Sequence, residues 1–141
     1  MVTLSTHINF NGNAEEAFTF YKSVLGGEFT AITRFKDMAG PGFEVPPEEA
    51  DKLMHITLTT GAHMLMGNDV PSFMGKTNEH ENRSKIYVTA ESHEEASRIY
   101  KGLSAGGTVE VPIEDGSEGP CYAMFRDKYG IEWIINFTPK A

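Results

Sequence analysis

The sequence predicts an α+β fold of two βαβββ modules that pair into a curved, mainly antiparallel sheet cup. Three observations carry that prediction. The order strand, helix, strand, strand, strand can be traced twice along the 141 residues. The two helical segments match in residues, AEEAFTFYK at 14–22 and HEEASRIYK at 93–101. Each helix runs into a glycine pair, Gly26-Gly27 and Gly106-Gly107, which permits the left-handed backbone that ends a helix.

The elements follow in order. Residues 4–10 (LSTHINF) alternate as a strand, and Asn13 with Glu16 three positions on reads as a capping box. Ala14, Ala17, Phe18, Tyr21, Val24 and Leu25 recur at helical spacing. A strand at 28–35, a Pro/Gly-rich excursion at 37–47 and two strands at 52–59 and 62–67, joined by Thr60-Gly61, complete the first module, residues 1–68. Residues 69–83 (DVPSFMGKTNEHENR) are polar and turn-rich and read as a linker. The second module, 84–141, opens with the strand KIYVTA. Ser92 and Glu95 form its capping box, and Ala96, Ile99, Tyr100 and Leu103 form the apolar stripe of its helix. Strands near 108–113, 120–126 and 131–137 close it.

Composition bounds the function. Twelve Lys and Arg against 20 Asp and Glu give a net charge of −8, which opposes nucleic acid as a partner. No apolar run approaches a bilayer span, the first 20 residues lack a secretory pattern and the lone Cys121 has no intrachain partner. A cytoplasmic protein with no membrane partner is expected.

Strand alternation assigns candidate site residues, because the apolar row faces the helix and its neighbours face the cup. In 53–59, Met54, Ile56 and Leu58 form the apolar row, leaving His55, Thr57 and Thr59 opposite. In 85–89, Ile86 and Val88 pack, leaving Lys85, Tyr87 and Thr89. In 131–137, Ile131, Trp133, Ile135 and Phe137 pack, leaving Glu132, Ile134 and Asn136. In the first strand the same rule packs Ile8 and Phe10 and sends His7 and Asn9 into the cup. Met64 and Met66 read as core filler, Cys121 as a small core residue, and His63, His80 and His93 as solvent-exposed.

The segments FNGNAEEAFTFYKSVLGG, LMHITLTTGAHMLMGND and RDKYGIEWIIN resemble the vicinal oxygen chelate (glyoxalase/bleomycin resistance/dioxygenase) superfamily, and within it the PhnB-like branch. The resemblance runs from about Leu4 to Phe137. It implies a sheet cup and, in metal-dependent members, four inward His or Glu ligands that chelate an ion shared with adjacent substrate oxygens. A gapless register places Thr6, His55, Lys85 and Ile134 at those positions, so one of four can ligate. That register also turns His7 toward the helix, against the apolar-row rule. A one-residue bulge before Gly12 would reconcile the two counts.

The expected function is binding of a small organic molecule in the cup through His7, His55, Thr57, Lys85, Tyr87, Glu132 and Asn136. No cofactor, no glyoxalase-type metal and no assigned catalytic residue belong to that expectation. The alternative is a metal-dependent lyase, dioxygenase or transferase acting on vicinal oxygens, with a displaced divalent site at His55, Glu132 and His7. PhnB-like sequences often carry a demethylubiquinone methyltransferase label, but no glycine-rich turn opens a cofactor-binding helix here. Open sheet edges and the cup architecture lead us to expect a homodimer.

Overall fold

A computed structural model describes residues 2–113 and 120–139. The chain divides into two units, Met1–Thr77 and Asn78–Ala141. The first holds β1 (Thr6–Phe10), α1 (Ala14–Leu25), β2 (Glu28–Arg34), β3 (Leu53–Thr60) and β4 (His63–Asp69). The second holds β5 (Ile86–Thr89), α2 (His93–Ser104), β6 (Thr108–Val111), β7 (Cys121–Arg126) and β8 (Glu132–Phe137). Strand order is β1-β4-β3-β2 in one sheet and β5-β8-β7-β6 in the other. The β1/β4 and β5/β8 pairs are parallel and the remaining pairs antiparallel. Both units are therefore βαβββ. Three 3-10 turns, Phe35–Met38, Pro47–Glu49 and Ser72–Met74, lie in the first unit's connections.

In the first unit the helix packs through Ala14, Ala17, Phe18 and Tyr21, all fully buried, onto Leu53, Ile56 and Leu58 of β3. Phe18 meets Phe10 edge-on at 5.9 Å and Tyr21 at 5.7 Å. Gly67 makes room for that cluster, since a Cβ there would come within 2.7 Å of the Phe18 ring. In the second unit Ala96, Ile99 and Leu103 of α2 are buried with Ala123, Phe125, Trp133 and Ile135 of the sheet. Each of the larger side chains, Ile99, Leu103, Phe125 and Ile135, contributes about 1.5–3 kcal/mol on burial.

Two local expectations are corrected. Asn13 makes no side-chain cap. The first amide of α1, on Ala14, is instead taken by Asp69 Oδ1 at 2.8 Å, while Asp69 Oδ2 accepts the Leu53 amide, also at 2.8 Å. In α2, Ser92 does cap, accepting from the Glu95 amide at 3.0 Å, and the Glu95 carboxylate reaches back to the Glu91 amide rather than to that of Ser92. The second correction concerns Met54, which is 38% exposed. The β2/β3 pairing steps from Thr33↔His55 to Arg34↔Leu53, so Met54 is the extra residue of a bulge and Leu53 takes the buried place.

The excursion between β2 and β3 is held by charge. Arg34 grips the Glu15 carboxylate with both terminal nitrogens and donates to the Asp51 carbonyl at 2.9 Å, while Lys36 pairs with Asp51 at 2.8 Å. Buried Glu49 accepts from the Ser72 amide and hydroxyl and pairs with Lys52 at 3.0 Å. These partners hold three carboxyls below the ordinary range: Arg34 that of Glu15, Ser72 and then Lys52 that of Glu49, and Lys36 that of Asp51.

Replacing Asp69 with Ala should cost about 3 kcal/mol, because two buried amides lose a charged acceptor; Asp69→Asn, which keeps one carbonyl oxygen, should cost less. Urea denaturation measures both. For the excursion, the lowered carboxyls contribute stability that is complete above about pH 5 and lost as pH falls through their lower folded values. Hydrogen exchange should therefore show residues 35–52 opening before the β3 core on acidification.

Candidate functional site

The face of the first sheet turned away from α1 is built by strand phase. Burial of Phe10 against Phe18 directs His7 and Asn9 to the opposite side. Parallel pairing sets His7 level with Met66 and Asn9 level with Asn68, and antiparallel pairing sets Thr57 level with Met66 and Thr59 with Met64. His55 stands two residues from Thr57 on the same face. The imidazoles of His7 and His55 are 6.1 Å apart between ring centroids. Because β4 separates β1 from β3, the two rings lean toward each other over β4.

The hydrogen bonds on this face are local. His7 Nε2–H donates to Asn68 Oδ1 at 3.0 Å, and the Asn68 amide donates to the Asp69 carbonyl at 3.2 Å. The Nδ1 of a neutral His7 is then its lone-pair nitrogen. His55 Nε2 and Thr57 Oγ1 share a 2.7 Å bond. The gapless register, with Thr6 inward and His7 under the helix, is wrong by one residue. Pairing runs from Thr6 to Phe10 without a shift, so no bulge lies within β1. The reading of Met64 and Met66 as core filler is also corrected: they share the open face with Thr59 and His7, while Leu65 and Gly67 turn toward the helix.

The second unit's open face carries the rows Tyr87–Ile134–Met124 and Thr89–Asn136–Tyr122. Tyr87 is 55% exposed and Tyr122 43%. Lys85 and Glu132 are drawn to each other at one end of this sheet. Glu132 is buried, with Oε2 accepting from the Lys85 ammonium and Oε1 from Arg126 Nη2 at 2.7 Å. The bond to Glu132 raises the Lys85 pKa, so the amine stays protonated and offers no lone pair. Arg126 also donates to the carbonyls of Glu79, His80, Glu81 and Gly130, fastening the 79–81 segment to the β7–β8 end.

Sequence reasoning passed over Arg126 and Asp127. Buried Asp127 Oδ1 accepts the amides of Tyr129 and Ile131, and Oδ2 accepts the Trp133 indole N–H at 2.8 Å. The signal was present in RDKYG, an Asp followed three residues later by Gly, as an Asp-closed turn requires. Cys121 is half-buried in the row of Ala123 and Phe125, and burial raises its thiol pKa despite a bond to Phe137 backbone, so it is no ready nucleophile. His63 and His80 are exposed, whereas His93, expected in solvent, is half-buried with Nε2 covered.

The residues present do not fit a glyoxalase-type divalent ion. Of the four register positions, Lys85 is a committed cation and Ile134 has no donor atom. In the displaced set, both oxygens of Glu132 already serve cations. Among the described residues no three His, Cys, Asp or Glu side chains gather to hold one ion. What the first unit's face offers is two imidazoles, hydroxyls, carboxamides and thioethers, with the Glu28 carboxylate at the β2 edge level with Thr59.

Comparison with known proteins agrees with this architecture. Residues 2–136 match the 3-demethylubiquinone-9 3-methyltransferase family. Protein PA1353 from Pseudomonas aeruginosa superposes with a TM-score of 0.82 at 30% identity, covering 99% of this chain and 100% of that one. The PhnB protein from Bacillus cereus, described as a 3-demethylubiquinone-9 3-methyltransferase, gives 0.75 at 28% identity, with 97% and 100% covered. A glyoxalase-related enzyme from Fulvimarina pelagi gives 0.60 at 16% identity, with 98% and 90% covered, a likeness of fold.

The ion triad yields a stability prediction. Glu132→Gln should cost about 3 kcal/mol by leaving Lys85 and Arg126 without their shared anion. Because the Lys85 pKa is raised, its contribution is complete below the ordinary lysine value of about 10.4 and fades as pH rises through the higher folded value. The destabilisation caused by Lys85→Met should accordingly be constant from about pH 6 to 9 and shrink above about pH 10.4. Chemical denaturation across that range measures it.

Proposed function

The chain belongs to the PhnB-like family described as 3-demethylubiquinone-9 3-methyltransferase, within the glyoxalase/bleomycin resistance superfamily, and from that premise we propose that it binds a small organic molecule on its open sheet faces. One observation carries the proposal. His7 and His55 meet 6.1 Å apart on a face whose neighbouring groups are hydroxyl, carboxamide and thioether, with Glu28 at its β2 edge, a surface that can hydrogen-bond a polar ligand while packing its apolar parts. In this reading His7, His55 and Thr57 are the contacts that the first unit's face offers a ligand, and Tyr87 and Asn136 are those that the second unit's own face offers. Lys85 and Glu132 bound the second site as a fixed pair.

A methyltransferase activity finds no support in the fold. Both sheets are four-stranded with one parallel pair each, unlike a doubly wound parallel sheet that ends in a glycine-rich phosphate turn. The metal-dependent reading retains only the His7 and His55 imidazoles as its basis. Each sheet ends in strands with a single hydrogen-bonded neighbour, and Ile32 on β2 with Val109 and Val111 on β6 is exposed, so we also propose a homodimer.

These readings are checked separately. An amide NMR screen of metal-free protein against small metabolites should shift His7, His55 and Thr57 signals, and His55→Ala should weaken a hit about tenfold, or 1.4 kcal/mol. Shifts confined to other surfaces, unchanged by His55→Ala, would exclude this site. Elemental analysis should find no stoichiometric zinc, nickel or manganese; one equivalent that disappears in His55→Ala would restore the metal-dependent enzyme. Sedimentation should give about twice the 15.6 kDa chain mass, and a monomer at high concentration would rule the dimer out.

A further inference from the structure

We propose that β1 is the self-association edge of this protein, where two copies pair their β1 strands antiparallel about a two-fold axis at Thr6. The inference rests on the homodimer reading and names the strand that makes the dimer. Four of the described strands, β1, β2, β5 and β6, have a single hydrogen-bonded neighbour. Such edges invite another strand unless bulges, charges or proline guard them. β2 is interrupted by register shifts at Phe29/Ala31 and Thr33/Arg34, and it carries Glu28 and Arg34 at its ends. β6 is shifted between Val109 and Val111, around Glu110. β5 is only four residues long and begins beside Lys85, which holds Glu132. β1 has none of these guards. Its pairing with β4 runs from Thr6 to Phe10 without a shift, and no Asp, Glu, Lys, Arg or Pro stands between Val2 and Ala14.

This edge is also uncovered. Val2 is 85% exposed and Leu4 91%, and Thr6, His7 and Asn9 are exposed as well. Residues 2–5 precede the β1/β4 ladder, which begins at Thr6. Continued as strand, they alternate in phase with β1, so Val2 and Leu4 fall on the side of Ile8 and Phe10. A second copy is the occupant that this strand fits. Antiparallel pairing centred on Thr6 sets Leu4 opposite the partner's Ile8, Val2 opposite the partner's Phe10 and Ser5 opposite the partner's His7, while the two Thr6 side chains face each other. Apolar then meets apolar on one face and polar meets polar on the other. The contact is isologous and closes at two copies. On a chain of net charge −8, it brings two copies together along a stretch without acidic residues, so no carboxylates oppose one another across the pair.

Sedimentation of the full-length protein over a range of concentrations is the test. The wild-type chain should run at about twice 15.6 kDa, and hydrogen exchange in residues 2–9 should slow as concentration rises. Leu4→Lys and Thr6→Lys, both at exposed positions, should each weaken the dimer by about tenfold, with unchanged circular dichroism showing that the variants fold. Because residue 6 meets only its own counterpart, Thr6→Glu alone should weaken the dimer likewise, and an equimolar mixture of Thr6→Lys with Thr6→Glu should restore it. A dimer that Leu4→Lys and Thr6→Lys leave intact would overturn the β1 edge while the homodimer reading stands. Dissociation of both single variants without rescue in the mixture would overturn the pairing centred on Thr6. A wild-type monomer at high concentration would overturn both readings and leave β1 as an edge for an extended peptide of another protein.

Discussion

The first unit depends on one carboxylate. Asp69 ends β4, and its two oxygens hold the amide that starts α1 and the amide that starts β3. Both amides would otherwise be donors without partners, and the carboxylate sits in the interior at 2% exposure. By fixing where the helix begins, it fixes which helical residues meet the sheet, and so the seating of Phe18 against Phe10 and Gly67. That seating sets the phase of β1 and β4. The encounter of His7 and His55 over β4 follows from it.

The second unit meets the same demands with different devices. Its helix start is capped locally by Ser92, and its buried carboxylates lie at the β7–β8 end: Asp127 closes the turn and receives the Trp133 indole, and Glu132 gathers Lys85 and Arg126. Such a triad is costly to desolvate and more costly to break, which makes it a device for a fixed arrangement rather than for net stability. Asp127, Glu132, Lys85 and Arg126 are thereby committed to structure. In the first unit, likewise, Glu15, Asp51 and Glu49 are paired within the framework. The open faces carry mainly imidazoles, amides, hydroxyls, phenols and thioethers, with Glu28 at the β2 edge level with Thr59.

The repeated βαβββ order, the helix stripes, the glycine stops and the faces of most strands were determined by the sequence alone, because each arises from spacing along a few consecutive residues. Phe10 in the apolar row was enough to place His7 opposite the helix, against the family register. The cap by Asp69 was not legible, since its partners lie 55 and 16 residues away and Asn13 offered a plausible local substitute. Met54 was misplaced because a bulge belongs to a pair of strands and leaves no mark in the alternation of one. Glu132 read as a free cup carboxylate until tertiary structure supplied Lys85 and Arg126, 47 and 6 residues distant. Met66 became a neighbour of His7 only through the parallel register of β1 with β4, which strand pairing sets and periodicity does not. Residues thus carry their own conformational and hydrophobic preferences, while the partners that turn a side chain into a cap, a counterion or a ligand are chosen by chain segments that meet only on folding.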